Sequence, residues 1–212
     1  MSFGTSPGRT STGAVVFDLG NVLIRWDPHP AVARGVGDDE ATRFLAAEDF
    51  DFRAWNHRLD AGRRWVDAAA DVDASHAHWS SHVAAYGEHF ALSITEPIEA
   101  NVAVLRDLHA AGVPLFALTN WSDELFPHAL ARHDFLGLFE DIVVSGAEGL
   151  AKPDPAIFER LRDRVGRPLA QCVFVDDSAA NVAAAEQAGL DAIRFTDDVP
   201  LRPQLRARGL PV

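Results

Sequence analysis

An α/β fold built on a parallel sheet and interrupted by a helical insertion is what this 212-residue sequence predicts. Three observations carry the prediction. Short apolar runs of strand-forming residues recur along the chain, and helical apolar stripes separate most of them. One interval between strands is also far longer than a single crossover requires.

The elements follow in order. The run Ala14–Phe17 leads into Asp18-Leu19 and then Gly20-Asn21, so a strand ends in a carboxylate and the chain turns. Roughly ninety residues separate this strand from the next, where a crossover helix needs about a dozen. The interval from about 26 to 95 reads as helical throughout, with candidates at 38–47, 52–58, 63–72 and 74–87. It holds four of the five tryptophans, Trp26, Trp55, Trp65 and Trp79. Ile98, Val102, Leu105 and Leu108 then form a helical stripe that Gly112 closes. A strand over 113–118 runs into Thr119-Asn120-Trp121, and Ser122-Asp123-Glu124 is placed to cap the next helix. Strands are expected at 141–145, 171–175 and 192–195. Between them lie a stripe of Ile157, Phe158, Leu161 and Val165 opened by Pro155, and an alanine-rich helix over 178–188 closed by Gly189. Strands alternating with helices imply right-handed crossovers in one parallel sheet.

Composition narrows the function. Hydrophobic residues make up 48% and charged residues 24%, ordinary for a globular domain. The net charge of −12 argues against nucleic acid or an anionic membrane as partner, since both select a basic face. Cys172 is the single cysteine, which excludes an intrachain disulfide and fits a cytoplasmic protein; it lies in an apolar run as a small core residue. No apolar stretch approaches the ~18 residues of a membrane span. Residues 1–12 read as a disordered lead-in without a signal-peptide core.

Four features fall on strand ends or helix starts. Asp18 sits at a strand mouth, where a carboxylate serves as nucleophile, base, metal ligand or turn cap. Thr119 and Asn120 follow a second strand with groups suited to phosphate, or to a plain helix cap. Lys152 precedes a helix, placed either to neutralise an anion or as a surface lysine. Asp176-Asp177 follow another strand as adjacent carboxylates, suited to Mg²⁺ or to capping.

In order, these motifs resemble the haloacid dehalogenase superfamily, in the subgroup with a small helical cap after the first strand. The resemblance spans Ala14 to Phe195. It implies a Rossmann-like, parallel five-stranded core (13–26 and 95–212) with a C1-type helical cap (27–94). It also implies a Mg²⁺-dependent phosphatase of a small phosphorylated metabolite, acting as monomer or homodimer. Asp18 would form an aspartyl-phosphate, with Mg²⁺ held by Asp18, the Gly20 carbonyl and Asp177, and Asp176 as further ligand or water-holder. Thr119 and Lys152 would act on the phosphoryl group, with Asn120, Trp121 and Asn21 binding substrate.

One departure stands out. The family usually carries a second Asp two residues after the nucleophile as general acid and base; here that position is Gly20, followed by Asn21. Asp27, His57 or a metal-bound water are the substitutes the sequence offers. The segment 55–62, with Trp55, Asn56, His57, Arg58 and Asp60, either reads a polar substrate or is core plus solvated helix face. His76, His78, His82 and His89 lack metal-ligand spacing and are expected on the surface. The alternatives to a phosphatase are a 2-haloacid dehalogenase using the same Asp, and a phosphate-binding protein without turnover.

Overall fold

The computed structural model describes residues 13–212. The predicted lead-in, 1–12, lies outside the described residues. Five strands, β1 (Ala14–Phe17), β4 (Leu115–Thr119), β5 (Asp141–Val144), β6 (Cys172–Asp176) and β7 (Asp191–Arg194), form one parallel sheet in the order β5-β4-β1-β6-β7. β1 is central and buried along its length, because helices cover both faces of a parallel sheet. Val15 and Phe17 pack on one side with Val102, Leu105 and Leu108 of α6 (Glu99–Ala110). Ala14 and Val16 pack on the other with Ile157, Phe158 and Leu161 of α9 (Pro155–Val165) and Ala185 of α10 (Ala179–Gln187). From β1 the chain builds outward to β4 and β5, then crosses back to β6 and β7. The strand order therefore reverses beside β1, and a crevice opens at the strand ends.

The long interval carries α1 (His29–Val36), α2 (Asp38–Leu45), α3 (Phe52–Asp60), α4 (Trp65–Ser75) and α5 (Ser80–Glu88). It is not helical throughout. β2 (Ile24–Trp26) and β3 (Ile94–Pro97) pair antiparallel and tie its entry to its exit. Three or four residues are too few to show a period, so composition could not separate this ribbon from helix. The expected helix 74–87 is broken. His76 leaves helical geometry (φ −142°, ψ 48°), the Ser75 hydroxyl donates to the Asp71 carbonyl, and a short 3₁₀ turn precedes α5. Helix α1 lies within that interval but outside the four candidate spans. Its Gly35 meets α5 so closely that an added Cβ would lie 2.4 Å from Ala85 Cβ, which explains a glycine inside a helix.

Trp55 and Trp79 are core residues of the insertion, packed with Phe44, Phe52 and Tyr86. His82, expected at the surface, is buried against Phe44 and Trp79 within reach of Glu40. The remaining helices are α7 (Pro127–Arg132), α8 (Ser145–Glu148) and α11 (Leu201–Ala207). The helix after β4 begins only at Pro127, and Ser122 does not cap it. Hydrogen bonds from Trp121 N–H to Ser145 Oγ and from Gly146 N–H to Trp121 O hold this stretch against the neighbouring loop, and the Glu124 carboxylate accepts from the Trp65 N–H. Among the described residues no helix is long and apolar enough to cross a membrane.

Candidate active site

Asp18 stands where β1 leaves the sheet. Its N–H still bonds the Val175 carbonyl at 2.8 Å, and Oδ1 accepts from the Leu19 N–H at 2.8 Å, which fixes the carboxyl at the strand mouth. Asn21 makes the turn beyond it. It adopts a left-handed φ of 55°, which asparagine tolerates better than most residues, and its Oδ1 accepts from the Trp26 N–H at 3.2 Å. Asn21, an expected substrate-binding residue, lines the cavity, and its side-chain oxygen secures the turn.

Lys152 is not a surface lysine. It is 1% exposed in the segment before α9, whose N-terminus Asp154 caps. Its Nζ donates to Asp176 Oδ2 at 2.7 Å and to the Leu118 carbonyl at 2.8 Å, and lies 3.0 Å from Asp18 Oδ1. The Asn120 carboxamide holds it there: Oδ1 accepts from the Lys152 N–H and Nδ2 donates to the Lys152 carbonyl, both at 2.8 Å. Both ends of that amide are therefore engaged. Asn120 positions the lysine, and it also lines the cavity.

Asp176 is the last residue of β6 and fully buried; it accepts from the Ser178 N–H and the Asn181 amide as well as from Lys152. It is neither solvated nor a cap, and Ser178 rather than Asp177 caps α10. Asp177 is half-buried on the cavity wall. Carboxylate oxygens of Asp18, Asp176 and Asp177 lie within 4.8 Å of one another. Three carboxylates against one lysine leave excess negative charge. Burial pushes the Asp18 carboxyl up to about 7 against the pull of Lys152, and Asp176 adds to the rise. Burial, then Asp176, raises Asp177 as well. Burial alone would lower Lys152, but Asp176 and Asp18 outweigh it and keep the ammonium charged. Hard oxygen donors with unbalanced charge are what a small divalent cation such as Mg²⁺ binds.

A cavity of about 200 Å³ opens above Asp18. Its walls combine the apolar Trp26, Phe90, Trp121 and Leu125 with Asn56, Asp60, Tyr86 and Ser122. Among the described residues Thr119 Oγ1, at the end of β4, and Trp121 Nε1, on a residue lining the cavity, are buried without a hydrogen-bond partner, as are Ser80 Oγ and His133 Nε2 elsewhere. Such groups are uncommon, and a ligand or a water in the cavity would pair those that reach it. In the segment 55–62, Trp55 is core, His57 and Arg58 face solvent, and Asn56 and Asp60 line the cavity. Asp27 is exposed and caps the start of α1 through the His29 N–H. Neither Asp27 nor His57 reaches the cavity as the missing acid. Within its segment the sequence signal that sets Asp60 apart is its place four residues after Asn56 on one helix face.

The model of the haloacid dehalogenase-like hydrolases matches residues 12–189. The sesquiterpene phosphatase astK of Aspergillus oryzae is 25% identical over 203 residues, covering 93% of this chain and 96% of that protein. A phosphoglycolate phosphatase of Cereibacter sphaeroides is 28% identical over 187 residues, covering 86% of this chain and 84% of that one. Among solved structures, the magnesium complex of a HAD family enzyme from Bacteroides thetaiotaomicron superposes with a TM-score of 0.72 at 17% identity, over 93% of this chain and all of that one.

Proposed function

Because the chain belongs to the haloacid dehalogenase-like hydrolases, we propose that it is a Mg²⁺-dependent phosphatase of a small phosphorylated metabolite, acting through an aspartyl-phosphate on Asp18. One observation carries the reading: the buried Lys152 bridges Asp18 and Asp176, with Asp177 close by, at the mouth of the central strand. Asp18, Asp177 and the Gly20 carbonyl would hold Mg²⁺, with Asp176 steadying the set. When bound, the ion offsets charge on the phosphoryl oxygens. Lys152 keeps Asp18 oriented and adds a second positive charge beside it. The Thr119 hydroxyl donates to a phosphoryl oxygen, and Trp121 Nε1 supplies a further donor on the wall. The segment 27–94 acts as the cap and the rest of the described chain as the core. Its aromatic side wall suits an organic group, consistent with relatives named for sesquiterpene and phosphoglycolate phosphatase activity.

A dehalogenase would have to bring a carboxylate substrate up to three carboxylates balanced by one lysine, which like-charge repulsion disfavours. The test is phosphate release from a panel of phosphate monoesters with Mg²⁺, beside chloride release from 2-chloropropionate. Metal-independent chloride release without phosphate release would sink the phosphatase reading.

Two further results are expected. Thr119→Val removes a buried hydroxyl that the fold does not pair, so stability should hold or rise slightly. Phosphatase kcat/KM should fall on the order of 10²–10³-fold, the usual loss for one transition-state donor. An unchanged kcat/KM would remove Thr119 from the site. Mg²⁺ at a hundred times its Kd should stabilise the protein by about 2.7 kcal/mol, seen in a thermal melt as roughly 5–10 °C. Asp177→Asn should abolish most of that shift, and a full shift in the variant would show that the ion binds elsewhere.

A further inference from the structure

Gly20 leaves the strand without an acid, but the cavity has a carboxyl on another wall. In-line displacement at phosphorus puts the leaving oxygen opposite the attacking carboxylate. Asp18 lies at the mouth of β1, and the segment that follows β1 supplies Trp26, Asn56, Asp60, Tyr86 and Phe90 to the wall of the same cavity. Apart from Asp18 and Asp177, Asp60 is the one carboxyl among the described residues lining this cavity.

Asp60 closes α3 and is braced from behind. Its Oδ2 accepts from Asn56 Nδ2 at 3.1 Å, and Asn56 Oδ1 accepts from the buried Tyr86 hydroxyl at 3.0 Å. The Ser145 hydroxyl donates to the Asp60 carbonyl and pins the end of α3 to the sheet side of the cavity. Burial pushes the Asp60 carboxyl up to about 7, although the Ser122 N–H, Asn56 and Lys152 favour its charged form. Burial and the nearby Asp60 both keep the Tyr86 hydroxyl protonated. A carboxyl that gives and accepts a proton near neutrality thus shares the cavity with Asp18.

We infer that Asp60 is the general acid and base of this site, supplying from the inserted helices what Gly20 cannot supply from the strand. The inference rests on the phosphatase reading. An Asp18 oxygen attacks phosphorus as the ester P–O bond breaks. The leaving oxygen keeps the electron pair and takes the proton of the neutral Asp60, so the alcohol departs. The Asp60 carboxylate then takes a proton from a water whose oxygen attacks the phosphoryl phosphorus. The P–O bond to Asp18 breaks, its electron pair returns to the Asp18 carboxylate, and inorganic phosphate leaves with Asp60 protonated again.

The experiment compares p-nitrophenyl phosphate, whose leaving group needs little protonation, with β-glycerophosphate, whose alkoxide needs a proton. Both are assayed with Mg²⁺ on the wild type, Asp60→Asn, Asp60→Ser and the double variant Gly20→Asp/Asp60→Asn. Each Asp60 variant should lose about 10²–10⁴-fold in kcat/KM on β-glycerophosphate. The loss on p-nitrophenyl phosphate should be much smaller, with a burst of nitrophenol because the second half-reaction becomes limiting. Gly20→Asp should restore β-glycerophosphate hydrolysis by about tenfold or more, since an added Cβ at Gly20 meets nothing within 4 Å. Asp60 variants that hydrolyse β-glycerophosphate within about threefold of wild type, or lose equally on both esters without a burst, would overturn the role of Asp60 alone. A wild type that releases no phosphate from either ester or from the wider panel would overturn the phosphatase reading, and the role of Asp60 with it.

Discussion

Asp18→Asn is expected to abolish phosphate release, by on the order of 10⁴-fold or more, while the protein stays folded. The carboxylate is the one group on the cavity floor placed to attack, and an amide is no nucleophile. The fold should not suffer. Burial raises the Asp18 carboxyl to about 7, above the ordinary carboxylate range, so its charged form is the less favoured one in the metal-free protein. The sign follows from linkage. A raised folded pKa contributes stability that is present at acid pH and lost as pH rises toward and through about 7. Asp18→Asn, without that charge, should melt at or above wild type at neutral pH without Mg²⁺. Its stability should also change less between mildly acidic and neutral pH. A variant that unfolds, or one that keeps more than about a hundredth of the activity, would contradict this account.

Lys152→Ala is expected to damage both stability and activity. The ammonium is buried, with Asp176 Oδ2 at 2.7 Å and Asp18 Oδ1 at 3.0 Å. Its removal leaves those carboxylates without a cation and opens a gap beside the Phe174 ring, over which the ammonium sits. Breaking a buried pair from one side costs about 3–5 kcal/mol, or a melting point lower by roughly 6–20 °C for a chain of this size. The deficit should shrink as pH falls, because protonation of Asp18 removes part of the uncompensated charge. Added Mg²⁺ should recover part of the stability, since the ion supplies positive charge to the same carboxylates. Activity should remain low even then, because Asn120 no longer has an ammonium to position. A melting point within about 2 °C of wild type would mean that water or a neighbouring group replaces the lysine without cost.

The sheet was legible because a strand buried on both faces must be apolar throughout, and Ala14–Phe17 and 171–175 are such runs. Asp18, Thr119 and Asp176-Asp177 were legible as polar residues at the ends of those runs. Lys152 was legible as a candidate but its burial was not, since a lysine before a helix reads the same whether buried or solvated. Its burial depends on Asn120, thirty-two residues away in sequence, bonding its backbone. The β2–β3 ribbon was hidden for a similar reason. Its pairing joins Trp26 to Ile94 across the whole insertion, and neither segment carries a period of its own. Asp60 was seen only as one residue of a mixed segment. What distinguishes it from Arg58 is which side of α3 meets the cavity, and that depends on how α3 packs through Trp55 and Leu59. Local pattern thus reported the strand ends, while long-range contacts decided which polar residues belong to the site.

The most direct measurement is the initial rate of phosphate release from p-nitrophenyl phosphate by wild type and Asp18→Asn, each with Mg²⁺ and with EDTA. Release is expected from the wild type with Mg²⁺ alone, falling to background in the other three conditions. Release that persists in Asp18→Asn, or that is equal with EDTA, would contradict a Mg²⁺ phosphoryl site built on Asp18.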